Sequence, residues 1–280
     1  MVQKKKIIKV ALFCVGVFIL FNVILLLFPV KKKYIYRDKE RGEEYIYSDK
    51  KYPVVFVGSG LIGDFHSEQL ERKSFYNLFF PYGGSCTGIE LIALSKKIPD
   101  TLFIETNYIF KGFNKELNEK LFEPLAYRSK FVLPCLLEKN KLLSLAKELV
   151  KGHKPRKKNS TSLPEPFFQE SLASLRKEYN RKPDTAGFGS IVVKLKKYID
   201  YFSSRNCTII FFEMPVDKEF LNCPKTEWER KALKSAFNDK RFIWSQKDSS
   251  IAYSTSDGIH LLDESLEKYI HYFNSSLTGK

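Results

Sequence analysis

The stretch Val54-Val55-Phe56-Val57-Gly58-Ser59-Gly60 decides the fold. Its four consecutive apolar residues read as a short strand buried on both faces, and the Gly-Ser-Gly that stops it puts a hydroxyl at the strand's carboxyl end. In open α/β sheets, ligands bind at that rim. Ser59 is therefore either a nucleophile or an ordinary turn serine ahead of a helix.

Working outward, the pattern predicts a helix over Asp64–Arg72 and a second apolar run, Ser74–Phe80, that stops at the turn Pro81-Tyr82-Gly83-Gly84-Ser85. Helical spacing over Ile89–Lys97 precedes a third strand, Asp100–Asn107, which ends on an asparagine. Between Phe110 and about Asp184 the strand pattern lapses: helices are expected at Lys115–Leu125 and Lys139–Val150, then an exposed basic, Pro- and Ser-rich loop from Lys151 to Pro166. This mainly helical insertion, about 110–185, carries a lid or acceptor-binding surface, or it is decoration on the scaffold. Regularity returns with a helix over Ser190–Ser203 and a strand over Cys207–Phe212. A capping box of Thr226 and Glu229 then starts a helix to about Phe237, Arg241–Trp244 gives a fifth strand, and Ser256–Asp263 leads into a helix with Leu266, Tyr269, Ile270 and Phe273 on one face. Strands alternating with helices give an α/β fold, a flavodoxin-like three-layer αβα domain with a central parallel sheet of about five strands.

Ahead of this domain, Val10–Val30 is 21 residues without a charge, with Asn22 its one strongly polar member. As a helix it spans about 30 Å, the thickness of a bilayer core. Pro29-Val30-Lys31 offers no small-residue cleavage site, so an uncleaved transmembrane anchor is expected, with residues 1–9 as a cytoplasmic tail, 31–52 as a stem and 53–280 as the domain. Lys4, Lys5, Lys6 and Lys9 before the helix balance Lys31, Lys32, Lys33 and Arg37 after it, so charge does not orient it. The stem holds a near-repeat, Tyr34-Ile35-Tyr36 and Tyr45-Ile46-Tyr47, which makes two short strands or, as favoured, an interfacial stem.

The formal net charge of +15 comes from scattered lysines, without a groove-reading helix, zinc finger or aromatic RNA-binding signature. Nucleic acid is not an expected partner; beside an anchor, anionic lipid or an acidic glycan is. Of the five cysteines, Cys86, Cys135, Cys207 and Cys223 lie outside the span, and no C-x-x-C spacing points to zinc or redox chemistry. One or two disulfides among these four are left open.

Ser59, Gly83-Gly84, Asn107 and the Asp257-x-x-His260 pair all fall after predicted strands or before the last helix, on one rim of the sheet. Each has a type needed in acyl transfer: a hydroxyl to attack, an imidazole to carry its proton, a carboxylate to orient the ring, and N–H donors for the oxyanion. Glu105 and Glu213 also end strands, but nothing fixes the separation that glycosidase chemistry needs. His66, His153 and His271 lack a comparable aspartate. His260 and Asp257 are otherwise plain helix-start and turn residues, and Asn107 a strand-end cap.

The order strand-Gly58-Ser59, then Asn77 with Gly83-Gly84, then strand-Asn107, then Asp257-Gly258-Ile259-His260 before a terminal helix resembles the SGNH, or GDSL-like, hydrolase and acyltransferase superfamily, over about residues 53–109 and 206–277. The first block, Gly58-Ser59-Gly60-Leu61, departs from the family's pattern in lacking its aspartate. The resemblance implies a catalytic set of Ser59, His260 and Asp257. It implies an oxyanion hole from the N–H of Ser59, from Gly83 or else Gly84, and from Asn107, with no cofactor and no metal.

It also implies a membrane-anchored serine esterase or O-acyltransferase, with acetyl the expected group, acting on a cell-surface polysaccharide or envelope glycan. Partners would be an acylated glycan or acyl donor, membrane lipid, and in some relatives a multi-spanning acyl-transfer protein; the domain would be extracytoplasmic. A non-catalytic glycan-binding or assembly protein on the same scaffold is an alternative. A single-span glycosyltransferase is another, and the three N-x-[ST] sites at Asn159, Asn206 and Asn274 fit it, although the chain has no D-x-D.

Overall fold

The computed structural model describes residues 2–30, 37–65, 75–141, 143–145, 160–245 and 251–278. The chain divides into two compact units, one of residues 50–118 with 156–280 and one of 1–49 with 119–155.

The larger unit is built on five parallel strands, β1 (Val54–Gly58), β2 (Phe75–Phe79), β3 (Thr101–Glu105), β4 (Thr208–Phe212) and β5 (Phe242–Trp244), in the order β2-β1-β3-β4-β5. That order reverses direction between β1 and β3, the place where such sheets open a crevice at their carboxyl ends. β1 pairs with β2 on one side and β3 on the other, and Val55, Phe56 and Val57 of its apolar run are buried.

Alternation along the strands sorts side chains onto two faces. Phe56 and Phe103 stack on one face with ring centroids 4.4 Å apart, and Phe212 meets Phe56 edge-on. The helices α6 (Glu165–Tyr179) and α9 (Asp263–Thr278) supply Leu172, Leu175, Tyr269 and Phe273 to this core. On the other face α3 (Gly84–Ser95) packs against β1, and α7 (Thr185–Ser203) against α3 and β4, burying Leu195, Ile199 and Phe202. Three layers result, as the strand and helix pattern predicts.

The helix after Leu221, α8, runs Pro224–Ala236 and begins with Pro224 in its first turn. Thr226 therefore lies inside the helix and its hydroxyl donates to the Phe220 carbonyl at 3.3 Å, so the expected capping box with Glu229 is not what starts it. Proline supplies the start instead, with its φ already helical and no N–H to satisfy. The expected helix Asp64–Arg72 falls mostly outside the described residues.

In the smaller unit, α1 (Val2–Leu27) is long and apolar enough to cross a membrane. Asp38–Tyr47 forms a helix, α2, rather than strands; Tyr34-Ile35-Tyr36 lies outside the described residues. The expected helix Lys115–Leu125 is interrupted, giving α4 (Lys115–Leu121) and α5 (Pro124–Val132). Pro124 breaks it, and Glu123 caps the new start by accepting from the N–H of Leu125 and Ala126 at 3.3 and 2.7 Å. All five cysteines are free thiols, so neither of the disulfides left open by the sequence is present.

Candidate active site

Ser59 follows β1 directly and caps a single 3-10 turn, Gly60–Ile62, its Oγ accepting from the Leu61 N–H at 3.2 Å. The residue is only 2% exposed. Its own N–H donates to Oε2 of Glu105 at 2.5 Å. The expectation that this N–H lines an oxyanion hole is therefore corrected: it is committed to a carboxylate inside the protein.

Glu105 ends β3 and sits one alternation beyond Phe103, beside Gly58. Gly58 makes room for it, because a Cβ there would lie 2.7 Å from Glu105 Oε2 and 2.6 Å from Ile62 Cδ1. Glu105 is fully buried and its Oε1 has no hydrogen-bond partner among the described residues. Burial raises its pKa to about 7, against the hydrogen bonds from the Ser59 N–H and hydroxyl and the charge of Lys111, which favour the anion. The sequence marks Glu105 only as a strand-end carboxylate; the signal for its role is the glycine opposite it in the sheet.

Asp257 and His260 occupy a tight loop closed by the antiparallel bridge Thr255–Leu261 and by the Ser256 N–H donating to the His260 carbonyl at 2.8 Å. Gly258 turns the loop with φ +101°, and a Cβ there would meet Leu175 Cδ1 at 2.6 Å. Asp257 Oδ1 accepts from the N–H of Ile259 at 3.1 Å and of His260 at 2.9 Å, which leaves Oδ2 on His260 Nδ1 at 2.7 Å. Partial burial works against the Asp257 charge, but the His260 side chain and these N–H groups outweigh it and hold the carboxyl below its ordinary pKa. With Nδ1 so held, His260 directs Nε2 to within 3.8 Å of where a Cβ on Gly60 would stand. The ring thus lies over the residue next to Ser59, and no hydrogen bond joins Ser59 to His260 among the described residues.

At the second block, the Gly84 N–H donates to the Phe80 carbonyl at 2.8 Å, while the Gly83 N–H has no partner among the described residues. Of the two glycines, Gly83 is the one with a donor to offer. Asn107 accepts from the Met214 N–H at 2.7 Å and donates to the Met214 carbonyl at 2.9 Å, so one amide hydrogen is left to it. Glu213 receives a bidentate bond from Arg230 at 2.9 and 3.0 Å, so both strand-end carboxylates are engaged within the protein.

A cleft of about 1030 Å³ opens at the carboxyl ends of β4 and β5, lined by Phe212, Lys218, Arg230, Trp244 and Tyr253 among others. Ser59 and His260 are not in its wall, but Thr255 is, and Thr255 Oγ1 accepts from the Gly258 N–H of the His260 loop at 3.1 Å. No group of three or more His, Cys, Asp or Glu is arranged to hold a metal among the described residues. No family model matches the chain, and no curated protein is significantly similar to it.

Proposed function

We propose that the chain is a membrane-anchored serine esterase or O-acyltransferase that works through an acyl-enzyme on Ser59. The observation that carries this reading is the Asp257–His260 pair at 2.7 Å, with Nε2 directed over the Gly60 turn beside Ser59. In the reaction the Ser59 hydroxyl leaves the Leu61 N–H and the Glu105 carboxyl by a side-chain rotation and attacks the ester carbonyl. His260 Nε2 takes its proton and returns it to the leaving alcohol, while Asp257 holds the imidazolium. Gly83 and the free amide hydrogen of Asn107 stabilise the oxyanion. His260 then deprotonates either water or an acceptor hydroxyl, giving a hydrolase or a transferase.

The substrate class we propose is an O-acylated, most simply O-acetylated, glycan at the cell surface, with the domain extracytoplasmic and α1 as the anchor. The aromatic and basic walls of the cleft, Trp244, Tyr253, Arg230 and Lys218, suit a sugar polymer lying next to the His260 loop. A second reading, a non-catalytic glycan-binding protein, is favoured by the burial of Ser59 and by its N–H being held by Glu105.

The test is a serine-directed fluorophosphonate offered to the full chain in detergent, with the adduct mapped by mass spectrometry. Label on Ser59, lost in Ser59→Ala, is expected. A folded wild-type chain that takes no label on Ser59 supports the binding reading instead.

A further inference from the structure

In the smaller unit a charge pair is buried beneath a segment whose outer side carries large apolar side chains. On α5, Lys130 points inward and pairs with Glu43 of α2 at 2.9 Å, both side chains nearly fully buried. On the outside of the same segment stand Leu125, Phe131, Val132 and Leu136, with Leu143 further on; Leu125, Val132 and Leu143 are 70% exposed or more. Charges paired inside and large apolar side chains outside are the arrangement of a helix that faces hydrocarbon, because there an unpaired charge is costly and an exposed leucine is not.

The anchor helix fixes how deep this segment lies. Asn22, the strongly polar residue of the apolar run, is buried and accepts from the Cys135 N–H at 3.2 Å. Asn22 precedes the end of α1 at Leu27 by five residues. At the rise of an α-helix the Cys135 backbone is thus about 8 Å inside that end. Non-helical backbone at such a depth has to satisfy its own hydrogen bonds. From Leu133 to Glu138 every N–H is met: Leu133, Leu136 and Leu137 donate to Ser129, Leu133 and Pro134 carbonyls, Cys135 to Asn22, Glu138 to the Glu43 carboxylate, and Pro134 has no N–H. The Pro134 carbonyl is met by Asn140 Nδ2 at 2.8 Å.

We infer that the segment Pro124–Leu136 is a second membrane-contacting element, a wedge whose outer face sits among the lipid chains of one leaflet beside α1. The inference rests on α1 spanning the bilayer, and it goes beyond a single-helix anchor. The occupant of the exposed apolar face is lipid, because the turn Pro134–Leu136 packs directly on α1, whose Leu26 and Leu27 are also exposed. Arg128 is exposed on the same helix, and its side chain is long enough to carry its charge toward a lipid headgroup layer.

The experiment places single tryptophans in the full chain, with Trp228 and Trp244 replaced by phenylalanine, and reconstitutes it in phosphatidylcholine vesicles carrying spin-labelled lipid. Leu26→Trp reports the anchor; Leu125→Trp and Val132→Trp, at exposed sites that tolerate a larger ring, report the wedge. Quenching at 125 and 132 by lipid labelled high on the acyl chain, at least half as strong as at 26, is expected. Quenching at 26 alone overturns the wedge and leaves the anchor standing, whereas quenching at none of the three overturns both.

Discussion

The Ser59 N–H and the Glu105 carboxylate face each other at 2.5 Å in the interior of the sheet unit, and the carboxylate has a second oxygen with nothing to accept from among the described residues. The carboxyl is neutral at low pH and charged at high pH, and the two forms are not equally comfortable there. Its pKa moves from an ordinary 4.5 to about 7, so between those values the folded chain holds a proton that the unfolded chain has released. Stability from this group is therefore full below pH 4.5, falls as pH rises, and is lost above about 7, a change of about 3 kcal/mol from a shift of roughly 2.5 units. Glu105→Gln is expected to flatten that slope in denaturant titrations of the sheet unit's tryptophan fluorescence between pH 5 and 8. An unchanged slope would show that the Glu105 carboxyl does not set it.

Asp257 behaves in the opposite sense. Its carboxyl is held below the ordinary value, so its contribution is present above the unfolded pKa and disappears as pH falls through the folded one. Asp257→Asn keeps the shape of the loop but reverses the bond to His260 Nδ1. The rate of phosphonylation at Ser59 should fall by roughly 10³ to 10⁴, and His260→Ala by at least 10². Rates within threefold of wild type in both variants would remove the dyad from the mechanism.

Gly258 is the weak point of that loop. With φ at +101° and Leu175 and Leu172 within 3 Å of any added Cβ, Gly258→Ala should cost about 1–3 kcal/mol and shift His260 away from Gly60. Thermal melting and labelling rate measured on one preparation would test both halves, and a variant as stable and reactive as wild type would contradict the strain.

The buried pair Glu43–Lys130 should resist single changes more than a double one. Lys130→Met leaves Glu43 charged with only the Glu138 N–H and is expected to cost about 3–5 kcal/mol, whereas Glu43→Gln with Lys130→Met should recover most of it. Unfolding in detergent of wild type, Glu43→Gln, Lys130→Met and the double variant gives the coupling directly.

The strands were legible because four of them are runs of β-branched and aromatic residues stopped by turn chemistry, and the fifth is the short apolar stretch Phe242–Trp244 after a helix. The dyad was legible too, since Asp-x-x-His is a local pattern. What escaped is what depends on distant residues. The Ser59 N–H meets Glu105 across 46 positions, and only the sheet register brings them together. The smaller unit escaped for the same reason: Glu43 finds Lys130 and Asn22 finds Cys135 across more than eighty residues, and no local periodicity announces either pair. The expected helix Lys115–Leu125 passes over Pro124, and the helix on its far side, with leucine and valine pointing outward, contradicts the usual inward count of apolar residues.

The pairing of residues 1–49 with 119–155 bears on where this protein can be cut. Removing the apolar N-terminus is the ordinary route to a soluble fragment, and residue 50, just ahead of β1, looks like the natural place to begin. A fragment that starts there keeps Lys130 without Glu43 and Cys135 without Asn22, with Leu125, Val132 and Leu143 facing water. The greasy tail of this chain is thus carried twice, once at its end and once in its middle, and only a fragment that also replaces 119–155 by a short link would be free of it.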